Sequence, residues 1–202
     1  MSKFKRKKIG IARKFLIKIG KKLVWWKASK ANALVMNGTY LFLTQMFYEI
    51  TNNFEKTNEE WFLFGTKMGR ALIDDMFNLA EIMLSKSVPD LIFIIQASWY
   101  IFLGQEIISI QYFPPDPDGI EKIVWIWDKC VMCTNAQNKL GPELAKNIRF
   151  EACAAGIYQT AIQIFEDHVG NPYNIVVKDT ESRARGDPYC ELTAFFIPLA
   201  KP

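Results

Sequence analysis

The chain has little of what most catalytic sites are built from. It contains a single histidine, His168, and no phosphate-cradling glycine loop, serine elbow or dinucleotide fingerprint. His168 falls at the end of a predicted helix, where a cation complements the helix dipole, so a role as general base is not indicated. Asp74 and Asp75 are adjacent on a predicted helix and point about 100° apart, which does not suit a catalytic dyad. We therefore expect no organic cofactor and no enzymatic activity.

Long apolar runs are also missing. The most apolar stretch, residues 91–103, contains Gln96 and Ser98 and falls short of the roughly 20 residues that a membrane span needs. A buried core helix explains it better. No secretory signal is evident at the N-terminus. Together with the four cysteines, this predicts a cytoplasmic protein whose thiols stay reduced or bind metal.

Acidic residues are absent from the first 30 positions, which carry 12 of the 25 Lys and Arg residues. The remainder holds 13 basic and 21 acidic side chains, a net charge of −8. This asymmetry predicts a basic N-terminal helix within residues 1–30 and a single folded domain over 31–202. Because the body is acidic, we expect no nucleic-acid partner.

The basic segment, residues 4–26, has the pattern of an amphipathic helix, with apolar residues on one face and lysines on the other. Such a helix can lie on an anionic membrane surface, held by lysine attraction and tryptophan insertion. The residues that would make this contact are Lys14, Lys18, Lys21 and Trp26. The alternative is a helix that packs on the body or on a partner chain. The protein is then either cytoplasmic throughout or peripheral to a membrane.

Hydrophobic periodicity predicts three helices in the first half of the body. An apolar helix is expected over Asn37–Ile50. A capping box at residues 57–60 (TNEE) predicts the start of a long second helix. Pro89 and Asp90 mark the start of a third helix.

The period then changes to that of strands. Runs of β-branched and aromatic residues at 107–113 and 123–127 flank PPDPDG, a turn-rich linker typical of a hairpin. A helix over Glu143–His168 and two strands at 174–178 and 191–197 follow. This order predicts an α+β fold, in which helices pack on one face of a twisted antiparallel four-stranded sheet.

The four cysteines are the chemical candidates. Cys130 and Cys133 form a C-x2-C pair after the second predicted strand, a spacing that lets two thiolates reach one zinc ion. Cys153 lies early in the last predicted helix and Cys190 opens the last strand, so four thiols converge if these ends are neighbours. The alternative is that the cysteines are small buried apolar residues.

Three stretches resemble the core subunits of the TRAPP vesicle-tethering complex. They are FGTKMGRALIDDMF at 64–77, WYIFLGQEIISIQY at 99–112 and CAAGIYQTAIQIF at 153–165. The final hairpin, DTESRARGDPYCELTAFF from Asp179, is similar to the bacterial and archaeal 4-vinyl-reductase domain, most specifically in its Gly-Asp-x-x-Cys element. The resemblance spans about residues 37–197 and implies a TRAPP-subunit-like fold.

Metal-binding members of that superfamily hold zinc with a helix cysteine and three hairpin residues. Here the resemblance implies four matching positions, in which a hydroxyl replaces one thiolate and a shorter Asp replaces a Glu: Cys153, Asp179, Ser182 and Cys190. The C-x2-C pair can compensate, or the metal is lost and the thiols remain as packing. The zinc ligands are therefore expected among Cys130, Cys133, Cys153, Cys190 and Asp179.

The same resemblance implies a cavity for an apolar small molecule or acyl chain, and dimerisation through the first helices. The residues that can line the cavity, unless they fill the core solidly, are Phe64, Met68, Trp99 and Phe102. The favoured function is a non-catalytic binding module that acts as a homodimer. The alternatives are a TRAPP-like tethering scaffold, which assembles with related chains and contacts membranes through its basic helix, and a reductase-related enzyme.

Overall fold

The computed structural model describes residues 31, 33–80 and 87–199, except for the side chains at 76–80 and 101–102. The helices are α1 (33–51), α2 (Phe54–Ala80), α3 (Leu91–Leu103), α4 (Ala136–Leu140), α5 (Pro142–Asn147) and α6 (Ala152–Val169). The strands are β1 (Ser109–Phe113), β2 (Glu121–Trp127), β3 (Tyr173–Glu181) and β4 (Cys190–Pro198). Short 3-10 helices at Val88–Asp90 and Arg183–Arg185 precede α3 and join β3 to β4. The predicted α+β fold is confirmed.

The four strands form one antiparallel sheet in the order β1-β2-β4-β3. The linker between β1 and β2 turns on the side chain of Asp116, whose Oδ1 accepts the backbone amides of Asp118 and Ile120 at 3.0 and 2.9 Å. Gly119 completes the turn with φ +78°, a conformation that glycine adopts without strain. The residues of the PPDPDG linker therefore form the turn of the predicted hairpin.

The second helix begins earlier than the capping box at 57–60 predicts. Asn53 is its N-cap, because its Oδ1 accepts the backbone amide of Lys56 at 3.0 Å. Thr57 already lies inside the helix, and its hydroxyl donates to the Asn53 carbonyl at 2.8 Å. The chain reaches Asn53 through Asn52, which has φ +45°.

The helix predicted over Glu143–His168 is two helices, α5 and α6. The break falls at residues 148–151, where Ile148 has an extended backbone with φ −88° and ψ 137°. The backbone amide of Arg149 donates to Asn58 Oδ1 of α2 at 2.8 Å, a tertiary contact that competes with the helix. This correction matters for function because it places Glu151 at the N-cap of α6.

Helices α2 and α6 are in backbone-to-backbone contact through glycines. A Cβ atom on Gly65 would lie 2.1 Å from the carbonyl oxygen of Cys153, and one on Gly156 would lie 2.3 Å from the carbonyl oxygen of Phe62. Any side chain at either position would force the helices apart. The contact fixes the start of α6 against α2, and with it the position of Glu151.

The helix layer covers one face of the sheet. Along β2, Ile123, Trp125 and Trp127 are fully buried and alternate with less buried residues. At the free edge of β3, the side-chain carbonyls of Gln163 and Gln159 on α6 accept the amides of Ile175 and Val177 at 2.8 and 3.0 Å. Helix α6 thus satisfies donors that would otherwise recruit another strand.

Candidate functional site

Three cysteines and one glutamate meet in a buried cluster, which we call the thiol–carboxylate cluster. Cys130 and Cys133 come from the loop after β2, Glu151 from the N-cap of α6 and Cys190 from the first position of β4. Their ligand atoms, three Sγ and one carboxylate oxygen, all lie within 4.8 Å of one another. Four donors of these types, gathered from three separate segments, could bind a metal ion.

The loop that carries Cys130 and Cys133 is held in place by α1. Asn37 donates its side-chain amide to the carbonyls of Val131 and Thr134, at 2.7 and 3.0 Å. Within the loop, the amide of Thr134 donates to the Cys130 carbonyl at 3.0 Å. The C-x2-C turn is therefore fixed by a tertiary contact as well as by its own hydrogen bonds.

Burial dominates the electrostatics of the cluster. It raises the pKa of the Cys130 thiol and of the Glu151 carboxyl well above their ordinary values. Hydrogen bonds from the Cys130 and Cys133 thiols lower the pKa of the Cys190 thiol. A bound cation would reverse the effect of burial and favour the charged form of every member.

Two of the residues expected as zinc ligands, Cys153 and Asp179, are not among these four. Cys153 accepts a hydrogen bond from the hydroxyl of Tyr40 at 3.4 Å, and burial raises its pKa to about 11. Asp179 forms ion pairs with Arg149 and with Arg185, the latter at 3.1 Å. Because two guanidinium groups already neutralise Asp179, its carboxylate has little to gain from a metal ion.

Glu151 joins the cluster although it is not among the ligands that the sequence predicts. Ser182, which the resemblance places at a thiolate position, donates its hydroxyl to Glu151 Oε1 at 3.0 Å. The one usable signal was the position of Glu151, two residues before Cys153. That signal points to Glu151 only once the helix is known to break at residues 148–151.

A second group, the indole cluster, lies between the helix layer and the sheet. Trp99 of α3 packs on Trp127 of β2 with ring centroids 4.3 Å apart and an interplanar angle of 56°. The ring centroid of Trp125 lies 6.5 Å from that of Trp99 and 5.4 Å from that of Tyr158 on α6. Two helices and strand β2 therefore supply one continuous cluster of aromatic rings.

The three tryptophans of this cluster are fully buried, yet within the described part of the chain no atom accepts their indole N–H groups. Trp61 behaves differently, since its indole N–H donates to the Thr44 hydroxyl at 2.8 Å. Buried donors without acceptors are rare in folded proteins, and three in one cluster call for an explanation. Tyr158 is satisfied by Ser98 at 3.0 Å.

Of the residues expected to line a cavity, Trp99 belongs to the indole cluster. Phe64 lies instead in the α1–α2 contact, 5.7 Å from the ring of Trp61 and 6.1 Å from that of Phe47. Met68 is partly buried against the core. The side chain of Phe102 lies outside the described residues, so its assignment stays a prediction.

The expected membrane contacts, Lys14, Lys18, Lys21 and Trp26, also lie outside the described residues. Among the helices that are described, none is both long enough and apolar enough to cross a membrane.

No protein-family model matches the chain, and no curated protein matches it in sequence. Several solved structures, in contrast, are similar to this chain in fold. A trafficking protein particle complex subunit 3 from Naegleria fowleri, covalently bound to palmitic acid, is similar with a TM-score of 0.63 and 16% identity. The match covers 86% of this chain and 99% of that one. The phenol-responsive sensory domain of the transcription activator PoxR, solved with phenol, matches with a TM-score of 0.51 and 12% identity, over 78% and 74% of the two chains.

These likenesses establish the fold. The chain has the α+β fold of a TRAPP subunit, as its sequence resemblance implied. The similarity of the last hairpin to the 4-vinyl-reductase domain stays a prediction.

Proposed function

We propose that the protein is a non-catalytic binding module for an apolar molecule that carries an oxygen acceptor, taken up between the helix layer and the sheet. The observation that carries this proposal is the indole cluster, in which Trp99, Trp125 and Trp127 present three buried N–H donors without acceptors among the described residues. Aromatic faces suit an apolar body, and indole donors suit an oxygen atom.

The energetics favour such a ligand. A buried donor that lacks an acceptor costs about 1–3 kcal/mol, and a ligand oxygen that accepts one of these indole hydrogens would remove part of that cost. A purely apolar ligand would fill space without satisfying the donors. The module should therefore discriminate between otherwise similar molecules by the presence of an oxygen acceptor.

The similar structures support this ligand class. Palmitic acid and phenol, the molecules bound in those two structures, share an apolar body and an oxygen-bearing end. The two ligands differ in size and shape, so the shared chemistry is the part that we carry over to this chain.

The absence of a usable acid–base group in the indole cluster favours binding over catalysis. Its one ionisable member, Tyr158, is hydrogen-bonded to Ser98, and burial raises its pKa well above the ordinary value. The side-chain hydroxyl of Tyr158 therefore stays protonated. It can donate or accept a hydrogen bond but cannot act as a base.

Calorimetric titration with phenol and toluene tests the proposal, because the two probes differ by one hydroxyl group. We expect phenol to bind more tightly, and Trp127→Phe to weaken phenol binding about fivefold, the equivalent of roughly 1 kcal/mol for one hydrogen bond. Trp61→Phe is the matched control, since its indole N–H is already paired within the protein. Equal affinities for phenol and toluene, or no binding of phenol or palmitate, would contradict the proposal.

Assembly through α1 is a second proposed function, as a homodimer or with a related subunit. Four apolar side chains of α1 are between 67% and 75% exposed: Leu34, Val35, Phe42 and Ile50. A helix that buries apolar residues on one side and exposes them on the other suits an interface. Light scattering at micromolar concentration should report a dimer, and Phe42→Glu should yield monomer. Gln45→Glu, a polar change on the same helix, is the control; a monomeric wild-type protein would contradict the proposal.

A further inference from the structure

We propose that Cys130, Cys133, Cys190 and Glu151 form a mononuclear zinc site that ties three segments of the fold together. The segments are the loop after β2, the start of α6 and the start of β4. This site is separate from the proposed ligand site and has a different ligand set from the one that the sequence resemblance implies.

The spacing of the donors matches tetrahedral zinc. Zn–S bonds of about 2.3 Å give a sulfur–sulfur edge of roughly 3.8 Å, and a Zn–O bond of about 2.0 Å gives a sulfur–oxygen edge of roughly 3.5 Å. Cys133 Sγ lies 3.7 Å from Cys190 Sγ. Cys130 Sγ lies 3.5 Å from Glu151 Oε1. Both edges therefore agree with one ion at the centre of the cluster.

Glu151 offers an unpartnered carboxyl oxygen to a cation. Its side chain is fully buried, and Oε2 has no hydrogen-bond partner anywhere in the described part of the chain. Its other oxygen, Oε1, accepts hydrogen bonds from the Ser182 hydroxyl at 3.0 Å and from the Cys130 thiol at 3.5 Å. A buried carboxylate without a countercharge is strongly unfavourable, whereas a divalent ion would neutralise it.

Backbone amides already point at two of the sulfurs. The amide of Cys133 donates to Cys130 Sγ at 3.3 Å, and the amide of Arg183 donates to Cys190 Sγ at 3.4 Å. Hydrogen bonds of this kind stabilise thiolates and orient them toward a metal. They also tie the C-x2-C turn and the β3–β4 connection to the same centre.

A route for the ion leads to the cluster from solvent. A surface pocket of about 460 Å³ is lined by Cys130 and Cys133 together with polar side chains that include Asn135 and Gln137. Metal can therefore reach the cluster without unfolding of the domain, as an exchangeable structural site requires.

The remaining candidate ligands provide matched controls. Cys153 is as buried as Cys130 but bonds to Tyr40, and Asp179 is paired with two arginines. Glu166 is a second buried glutamate, located near the end of α6 and hydrogen-bonded to Asn171. Variants at these positions change the same chemical groups away from the proposed site.

Zinc quantitation and X-ray absorption on the full chain test the proposal. Protein purified without chelator should hold one zinc per chain, with three sulfurs at about 2.3 Å and one oxygen at about 2.0–2.2 Å. Cys133→Ser and Glu151→Gln should lower zinc affinity at least tenfold. Cys153→Ser, Asp179→Asn and Glu166→Gln should retain the metal.

Three results would overturn the inference: no zinc even after incubation with excess zinc, a shell of four sulfurs, or loss of metal from Cys153→Ser while Cys133→Ser keeps it. If a variant of one of the proposed zinc ligands fails to fold, X-ray absorption by the wild-type protein still tests the proposed ligand set. Because the phenol titration monitors the indole cluster, failure of the zinc site and failure of the ligand site are distinguishable.

Discussion

Trp127 and Cys190 are paired residues at one end of the β2–β4 ladder. Trp127 belongs to the indole cluster and Cys190 to the thiol–carboxylate cluster, so the two candidate sites meet at a single strand end. Cys130 lies only three residues beyond Trp127 along the chain. A change in either cluster should therefore be detectable in the other.

Removal of the metal should loosen this strand end. Structural zinc in zinc-finger peptides contributes roughly 10–16 kcal/mol, comparable with the whole net stability of about 5–15 kcal/mol of a typical domain. We expect chelation to lower the urea midpoint and to shift tryptophan emission to longer wavelength as the indoles meet water. Cys153→Ser protein should respond in the same way. Identical unfolding curves with and without chelator would argue against a structural metal.

The glycine contact between α2 and α6 should be intolerant of a single methyl group. Gly156→Ala places a Cβ 2.3 Å from a backbone carbonyl, and such overpacking should cost about 2 kcal/mol or more in the free energy of unfolding. Gly38→Ala is the control, because a Cβ there meets nothing within 4 Å. In helix α1 this replacement should stabilise by about 0.5–1 kcal/mol. Equal effects of the two changes in urea unfolding would refute the contact.

The sheet carries a pH-dependent pair of tyrosines. Tyr112 and Tyr173 both donate to Glu121, and these hydrogen bonds, with some burial, raise each pKa from 10.0 to about 12. Because the folded-state values are the higher ones, their stabilisation is complete below pH 10 and is lost as the pH rises to 12. Absorbance at 295 nm should show two tyrosines that ionise near pH 12. Glu121→Ala should lower the pKa of both toward 10. A titration curve unchanged by Glu121→Ala would contradict this account.

The order and type of the main elements could be predicted because they depend on local patterns. The run of β-branched and aromatic residues at 123–127 (IVWIW) is a strand signal wherever it occurs. The turn at 114–119 and the stop at Gly170, which has φ +77°, are likewise encoded by neighbouring residues. These predictions needed no information from distant parts of the chain.

The ligand set of the candidate metal site could not be predicted in the same way, since it depends on tertiary contacts. Glu151 reaches the cluster because Asn58 of α2 bonds the amide of Arg149 and the helix breaks there. Arg149 in turn pairs with Asp179, 30 residues away, and so removes it as a candidate ligand. Neither contact leaves a periodic trace in the sequence, so the prediction included Asp179 and omitted Glu151.

The basic segment should account for any binding to membranes. Deletion of residues 1–28 removes 11 of the 12 lysines and arginines of the first 30 positions, and we expect it to abolish sedimentation with anionic vesicles. The truncated protein should keep its cooperative unfolding transition and its response to phenol. Sedimentation of the truncated protein would show that the contact lies elsewhere, and loss of folding would show that the segment is part of the core.

The proposed ligand site makes a specific claim about individual indole hydrogens. Trp99, Trp125 and Trp127 have no acceptor among the described residues, whereas Trp61 donates to Thr44. An oxygen-bearing ligand should therefore perturb the first three N–H groups and leave the fourth unchanged.

The most direct measurement is a nuclear magnetic resonance titration of protein labelled with ¹⁵N-tryptophan, with each indole signal assigned from its Trp→Phe variant. Addition of phenol should move the N–H signals of Trp99, Trp125 and Trp127 downfield, as new hydrogen bonds require, while that of Trp61 stays in place. Toluene should cause smaller shifts without the downfield direction. If these three signals do not respond to phenol or palmitate at millimolar concentration, the indole cluster is a filled core and the binding function is refuted.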